Sequence, residues 1–271
     1  KDLRITMTSS LLHPGIILIL FGLFIPLIKN RLIVLLFPIA SFIILFLLDN
    51  GTVIKLDYGN YELILLSIDK LSRLFSYIFL LILFATAIFS INQDSKSEIS
   101  SAFVYVGSSI SVVLSGDLIT LFIFWEIMAI TSTIVIWSGS KQSYYPGIRY
   151  LAVHLLGGSI LLIGIIGYAN TTGTLAFGLM SPDNIFSYFV LAGFLINAGA
   201  PPFSSWIPDA YPSASWSGTV FLSAFTTKTA VYVLIVGYAG YQFLIYVGIF
   251  MIFYGIIFAI LENDMRRILS Y

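Results

Sequence analysis

The chain has 271 residues, 59% of them hydrophobic and 10% charged, with a mean hydropathy of +1.00, values far outside the range of water-soluble globular domains. Thirteen Lys and Arg offset thirteen Asp and Glu, which leaves neither a basic surface for nucleic acid nor an acidic tail for cationic partners. No cysteine is present, so disulfides, iron–sulfur ligation and zinc–thiolate sites are excluded, and any redox cofactor belongs to another protein.

Lys1–Thr6 precede Met7, which reads as a natural start leading into the first apolar run. No small-residue cleavage motif follows Ile28, so that run is read as a retained helix. Runs of roughly 17 to 25 apolar residues, enough to cross a hydrocarbon core of about 30 Å, recur along the whole chain. About nine are expected, near 11–28, 32–48, 71–91, 99–116, 118–137, 148–168, 184–200, 215–237 and 241–262. They are continuously apolar and lack the alternation that a membrane barrel requires, so the expected fold class is all-α, a polytopic transmembrane helical bundle. The polar stretch 49–60 reads as a short hairpin on the outer side.

Lys and Arg set the orientation. Residues 29–31, Lys96, residues 141–149 and residues 266–267 carry the positive charges that fall on one side, read as cytoplasmic, which puts the N-terminus outside.

Between Asn197 and Pro212 the sequence NAGAPPFSSWIPDAYP interrupts the helical pattern with Pro201, Pro202, Pro208 and Pro212. The plain reading is a loop. The functional reading is a broken helix near 197–212, because irregular backbone at membrane depth lines protected or wet cavities and marks ion sites in transporters.

Three ionisable residues lie within apolar runs: Glu126 in LFIFWEIMAITS, His154 in RYLAVHLLGGS and Lys228 in FLSAFTTKTAVYVL. An unpaired ion at the bilayer centre costs about 2.5–3.5 kcal/mol on insertion scales, so such groups face the bundle interior, pair, and mark ion pathways. A desolvated carboxyl or amine is poised to gain and lose a proton near neutral pH, and an imidazole suits transfer between them. Thr226, Thr227 and Thr229 offer hydroxyls for a water chain beside Lys228. The plain readings are a structural ion pair for Glu126, snorkelling for Lys228 and packing for His154. Asp117 reads as a helix cap, and Asp209 as a cap for the half-helix after the break. No phosphate-binding glycine loop, metal-ligand spacing or nucleophile elbow is present, so no cofactor or metal is expected and soluble-enzyme chemistry has no residues to carry it.

Four ordered motifs, LSGDLITLFIFWEIMAITS, RYLAVHLLGGSILLIGI, APPFSSWIPDAYPSASWSGTVFLSAFTTKTAVYVL and LENDMRRILSY, together resemble the proton-conducting antiporter module. The module is shared by the antiporter-like subunits of respiratory complex I, membrane-bound hydrogenases and Mrp-type sodium/proton antiporters, and the likeness is strongest to the Mrp-type D subunits. The resemblance covers roughly residues 70–271. It implies a midplane line of charges in which the fifth-helix glutamate falls on Glu126 and the eighth-helix lysine on Lys228. The broken-helix lysine falls on Asn197, which cannot titrate, and His154 is the residue left to bridge toward Lys228.

The resemblance also implies two inverted five-helix repeats within about fourteen helices. Here 1–98 would hold helices one to three, 99–237 the first repeat with the broken helix, and 238–271 the start of the second repeat, the chain being an N-terminal portion. The implied function is a membrane subunit that moves protons, coupled to sodium exchange or quinone-linked redox chemistry in an inner-membrane complex, with other membrane subunits as partners. The competing readings are a non-conducting assembly subunit and an independent secondary transporter for a small solute.

Overall fold

A computed structural model describes residues 13–58 and 61–271. The expected start at Met7, the basic residues Lys1 and Arg4, and Asn60 lie outside the described residues.

The elements run α1 (Pro14–Phe24), α2 (Leu36–Leu47), β1 (Val53–Tyr58), β2 (Tyr61–Ser67), α3 (Lys70–Phe89), α4 (Lys96–Leu114), α5 (Leu118–Trp137), α6 (Tyr144–Thr172), α7 (Ile185–Ala198), α8 (Trp206–Ala210), α9 (Trp216–Gly237), α10 (Gln242–Leu261) and α11 (Met265–Ile268). Among the described residues seven helical stretches are long and apolar enough to cross a membrane, counting α7 through the turn at Ser213 as one. Two shorter apolar stretches, Pro14–Leu27 and Arg31–Leu47, occupy the first two expected runs. The fold is a helical membrane bundle, as the run of apolar segments predicts.

Local chemistry sets the helix starts. Asp69 and Ser72 form a reciprocal capping box on α3, Asn184 caps α7, and Ser215 caps α9 by accepting from Gly218 N at 2.9 Å. Helix α4 lies at the centre, packed against α1, α3, α5 and α9, and nearly all of its residues are buried. It approaches α1 closely because Gly15 meets Gly107 backbone to backbone: a Cβ on Gly107 would lie 2.7 Å from the Gly15 carbonyl oxygen.

The hairpin is longer than the polar stretch suggested, because YELILLS forms a second strand paired antiparallel to β1, with Lys55 and Glu62 joined at 2.8 Å. Its docking identifies one end of the bundle. His13 caps α1 through Nδ1, and its Nε2 reaches the Leu65 carbonyl at 3.2 Å. Gly116 N donates to Ile64 O at 2.9 Å, and Leu118 N to Leu175 O at 2.9 Å. At the opposite end Lys96 donates to the Pro26 and Ile28 carbonyls, Arg31 reaches Ile91 O and Asp94, and Arg266 reaches Ala214 O. Arg31, Lys96 and Arg266 therefore gather at one end, and Lys55 and Arg73 lie with the hairpin at the other.

Candidate functional site

The interruption after α7 begins where Gly199 adopts φ +76°, a left-handed conformation that glycine accepts without a Cβ clash. Pro201 and Pro202 follow, then a tight turn at Phe203–Ser205, the five-residue α8 and a second turn at Tyr211–Ser213. The carbonyl of Ile196, at the end of α7, accepts from the Gly199 N–H at 3.2 Å and from the Trp206 indole Nε1 at 3.3 Å. Ser204, Trp206, Pro208 and Ala210 of the segment are buried against the bundle, while Pro202, Phe203 and Ser205 are exposed. Asp209 does not cap α8, whose N-cap position is Ser205. Its carboxylate takes a two-point contact from Arg149, Nε to Oδ2 at 2.7 Å and Nη2 to Oδ1 at 2.8 Å.

Asn197 is fully buried one residue before the end of α7. Its Nδ2 lies 3.4 Å from Gly193 O, and its Oδ1 has no hydrogen-bond partner. It faces Gly157 of α6, where a Cβ would sit 3.4 Å from that Nδ2.

The next residue, Gly158, faces α5: a Cβ there would overlap Oε1 of Glu126. Glu126 is half-buried, and that Oε1 is a buried oxygen without a partner. Glu126 and Asn197 therefore flank the same two-glycine stretch of α6, which admits them because neither glycine carries a side chain. No ion pair to Glu126 exists among the described residues.

His154 lies one turn before these glycines and is 1% exposed. Its ring stacks on Tyr150 with centroids 3.9 Å apart and meets Trp206 edge-on at 4.6 Å. Nδ1 contacts the Tyr150 carbonyl at 2.9 Å, while Nε2 is buried without a partner. The broken segment thereby reaches the imidazole through Trp206, a link between two regions that the sequence pattern kept separate.

Lys228 departs from its expected place. The depth of the residue in α9 suggested an inward-facing amine, whereas its side chain lies on the exposed face of the described chain. Its Nζ donates to Ser223 O at 2.6 Å and Thr227 Oγ1 at 3.2 Å. The reason is helical geometry. Thr226 and Thr229 point into the bundle, and residue 228 is about 200° around the helix from 226, so both cannot face inward. Glu126 and His154 share the α5–α6 region, and Lys228 stands apart from them.

Asp117 caps α5 with Oδ1 accepting from Ile119 N at 2.9 Å and Thr120 N at 2.8 Å. Its Oδ2 accepts from Ile64 N at 2.6 Å, so one carboxylate starts a helix and anchors the hairpin.

Sequence reasoning missed Glu98. Only 1% exposed, it accepts from Ser215 Oγ at 2.5 Å, Ser217 Oγ at 2.6 Å and Gln93 Nε2 at 2.9 Å. Arg266 lies over the Trp216 ring at 4.5 Å and donates to Thr219 Oγ1 at 2.6 Å, tying the segment after α10 to the same end of α9. The signal in SKSEIS was an acidic residue in a serine-capped first turn, which ordinarily marks a solvated helix start.

The family described as NADH:quinone oxidoreductase/Mrp antiporter, TM, matches residues 115–271. The Na(+)/H(+) antiporter subunit A1 of Staphylococcus aureus is 29% identical over 305 residues, covering 97% of this chain and 38% of its own length. That relative is of the A type, where the motifs suggested the D type. The chain thus spans about two-fifths of the curated relatives it matches. Among solved structures, a chain of the Mrp complex from Dietzia sp. DQ12-45-1b superimposes with a TM-score of 0.74 at 22% identity, over 95% of this chain and 53% of that one. A chain of respiratory complex I from Thermus thermophilus gives a TM-score of 0.80 at 19% identity, over 95% of this chain and 61% of that one.

Proposed function

Because the chain belongs to the NADH:quinone oxidoreductase/Mrp antiporter transmembrane family, we propose that it forms part of a membrane subunit of a multi-subunit cation/proton antiporter or complex I-like assembly, with Glu126 and His154 transferring protons inside the bundle. The observation that carries this reading is the Glu126 carboxyl oxygen, buried against Gly158 with no hydrogen-bond donor and no ion-pair partner among the described residues. A charge held there solely for structure would be expected to have a partner, since an uncompensated one is costly. The unpartnered Nε2 of His154, one turn away on α6, supplies a second group able to hold a proton. Lys228 takes the proton at the outer face of α9, where neighbouring membrane subunits or further helices receive it. Sodium is the coupling ion in the antiporter case.

The module is read as the first repeat at 99–237, with 238–271 opening the second. The assembly is assigned to the inner membrane, with the N-terminus outside and residues 29–31, 141–149 and 266–267 cytoplasmic. A second reading, a non-conducting assembly subunit, is supported by Lys228, which among the described residues is hydrogen-bonded to its own helix, and by the resemblance, which would put a lysine where this chain has Asn197.

The test is sodium-driven proton exchange in inverted vesicles holding the assembled complex, followed with a pH-sensitive dye. Glu126→Gln is expected to abolish exchange with assembly intact. Unchanged exchange would reduce the protein to a scaffold.

A further inference from the structure

At the end of the bundle that carries Arg31 and Lys96, the turn joining α1 to α2 meets the turn joining α3 to α4, and Ile25, Ile28, Arg31, Ser90 and Lys96 line a recess between them. Both cations are held there by backbone carbonyls. Lys96 Nζ donates to Pro26 O at 3.1 Å and Ile28 O at 3.0 Å, and Arg31 Nη1 donates to Ile91 O at 3.1 Å. A carbonyl fixes a cation in place without neutralising it. Asp94 Oδ1 lies 3.3 Å from Arg31 Nη2, but its side chain is 99% exposed, and an ion pair so open to water is weak and yields to a competing anion. Glu98 is buried and turned away toward Ser215 and Ser217. Lys29, two residues before Arg31, is exposed as well. The rim of the recess therefore carries three cations against one solvated acid.

Among the described residues Lys96 spends two of its three N–H donors and Arg31 two of its five, so both keep donors for a further acceptor. A second opening lies one helical turn deeper along the same two helices. Val34 and Ala87 border the recess, and Pro38, one turn on in α2, and Phe84, one turn back in α3, line a groove completed by Ile39, Phe42, Leu80 and Leu81. All six side chains are apolar, and Ile39, Phe42 and Leu81 are exposed. From Arg31 to Phe42 the chain advances about 16–18 Å. That is close to the hydrocarbon depth of one leaflet, half of a core of about 30 Å.

Cations at the rim and an apolar groove of leaflet depth beneath them match a ligand with an anionic head and a hydrocarbon chain. A free phosphate would use the rim alone, and an apolar helix of another subunit the groove alone. We propose that this place binds an anionic phospholipid, with its phosphate on Arg31 and Lys96 and one acyl chain lying between α2 and α3. Guanidinium and ammonium groups bind phosphate through charge-assisted hydrogen bonds, and basic recesses between spanning helices favour anionic headgroups. The phosphate displaces Asp94 from Arg31 and bridges the two turns, so the lipid ties α1 and α2 to α3 and α4. Glu126 and His154 take no part in it.

The test places the assembled complex in phosphatidylcholine vesicles doped with a photoreactive lipid, either phosphatidylglycerol or phosphatidylcholine, each bearing the same diazirine-tagged acyl chain, and maps labelled peptides by mass spectrometry. Phosphatidylglycerol is expected to label residues 36–47 and 70–89 at least about fivefold more strongly than phosphatidylcholine, the effect of roughly one cation on an anionic lipid. Arg31→Gln combined with Lys96→Gln is expected to bring that labelling down to the phosphatidylcholine level, whereas Arg31→Lys combined with Lys96→Arg, which keeps both charges, is expected to retain the preference. An undiminished preference in the glutamine variant would overturn the site. Equal labelling by the two lipids in the parent complex would overturn it without any variant, leaving only ordinary contact with the bilayer. Absence of labelling by either lipid would overturn it in favour of a protein partner in the groove. Loss of phosphatidylglycerol labelling in millimolar inorganic phosphate would overturn it in favour of a soluble anion.

Discussion

Arg149 and Asp209 are joined by two parallel hydrogen bonds across 60 residues of sequence, and this contact fastens the broken segment to the start of α6. The pair is partly exposed, with side-chain exposures of 57% and 32%, so screening limits its worth to about 0.5–1 kcal/mol even in this favourable geometry. Asp209→Asn is expected to lower the thermal midpoint of the detergent-purified complex slightly and to make that midpoint less sensitive to salt. A variant whose salt response matches the parent would assign the pair no energetic role.

Gly158→Ala puts a methyl group where the Glu126 carboxyl oxygen lies. Helix α6 itself tolerates alanine, which favours helix over glycine by about 1 kcal/mol. The expected result is a complex that assembles normally but exchanges protons slowly, because the carboxyl is displaced from α6. Assembly by size exclusion and exchange in vesicles separate the two effects. Gly193→Ala serves as a contrast: its Cβ would lie 3.0 Å from the Gly157 carbonyl and 2.8 Å from the Leu161 Cβ, so the α6–α7 contact itself should weaken.

Glu98→Ala removes the acceptor of three donors at once. Ser215 and Ser217 keep their mutual contact at 3.1 Å and Gln93 keeps its bond to Ser217 at 2.9 Å, so the loss of three charge-assisted bonds is expected to cost about 1–3 kcal/mol. Glu98→Gln, which keeps one acceptor oxygen, is expected to cost roughly half as much. Thermal denaturation followed by tryptophan fluorescence reads both, and equal midpoints for the two variants would refute the account.

Asp117→Ala strips three backbone donors of their acceptor, two in the first turn of α5 and one in the hairpin. A cap loss of about 1 kcal/mol plus an unpaired strand amide gives an expected cost of about 2–3 kcal/mol. The second consequence is local: limited proteolysis should cut the 53–67 hairpin faster than in the parent. Unchanged cleavage would show that Gly116 and His13 hold the strand without the carboxylate.

The bundle itself was legible because bilayer thickness dictates run length, and the break was legible because four prolines cannot sit in one helix. Glu126 and His154 could be singled out from their types and settings, and Asn197 only through the family resemblance. Their shared relation to Gly157 and Gly158 could not, since it depends on how α5 and α7 flank α6. The outward position of Lys228 was available in principle: counting around α9 from Thr226 and Thr229 separates them from residue 228, but depth along the helix was weighed and angle was not. Glu98 was invisible for a different reason. Its burial is created by Ser215 and Ser217, more than a hundred residues later, and nothing in SKSEIS foretells that neighbour. The strand YELILLS falls between the polar stretch 49–60 and the apolar run from 71, and a short apolar run does not distinguish strand from helix.

Helix α4 is at once the most enclosed spanning helix and the least apolar, with a mean hydropathy of 1.3, whereas α10 reaches 2.6 with no buried residue. This ordering bears on biogenesis. A segment carrying Lys96, Glu98 and a series of serines partitions weakly into lipid by itself, and its Ser108, Ser109 and Ser111 hydroxyls are turned back onto carbonyls of the preceding turn. Helix α4 is therefore the segment that most needs company at the translocon, entering the bilayer as a hairpin with the strongly apolar α5 and completing its burial once α9, synthesised about a hundred residues later, closes over it.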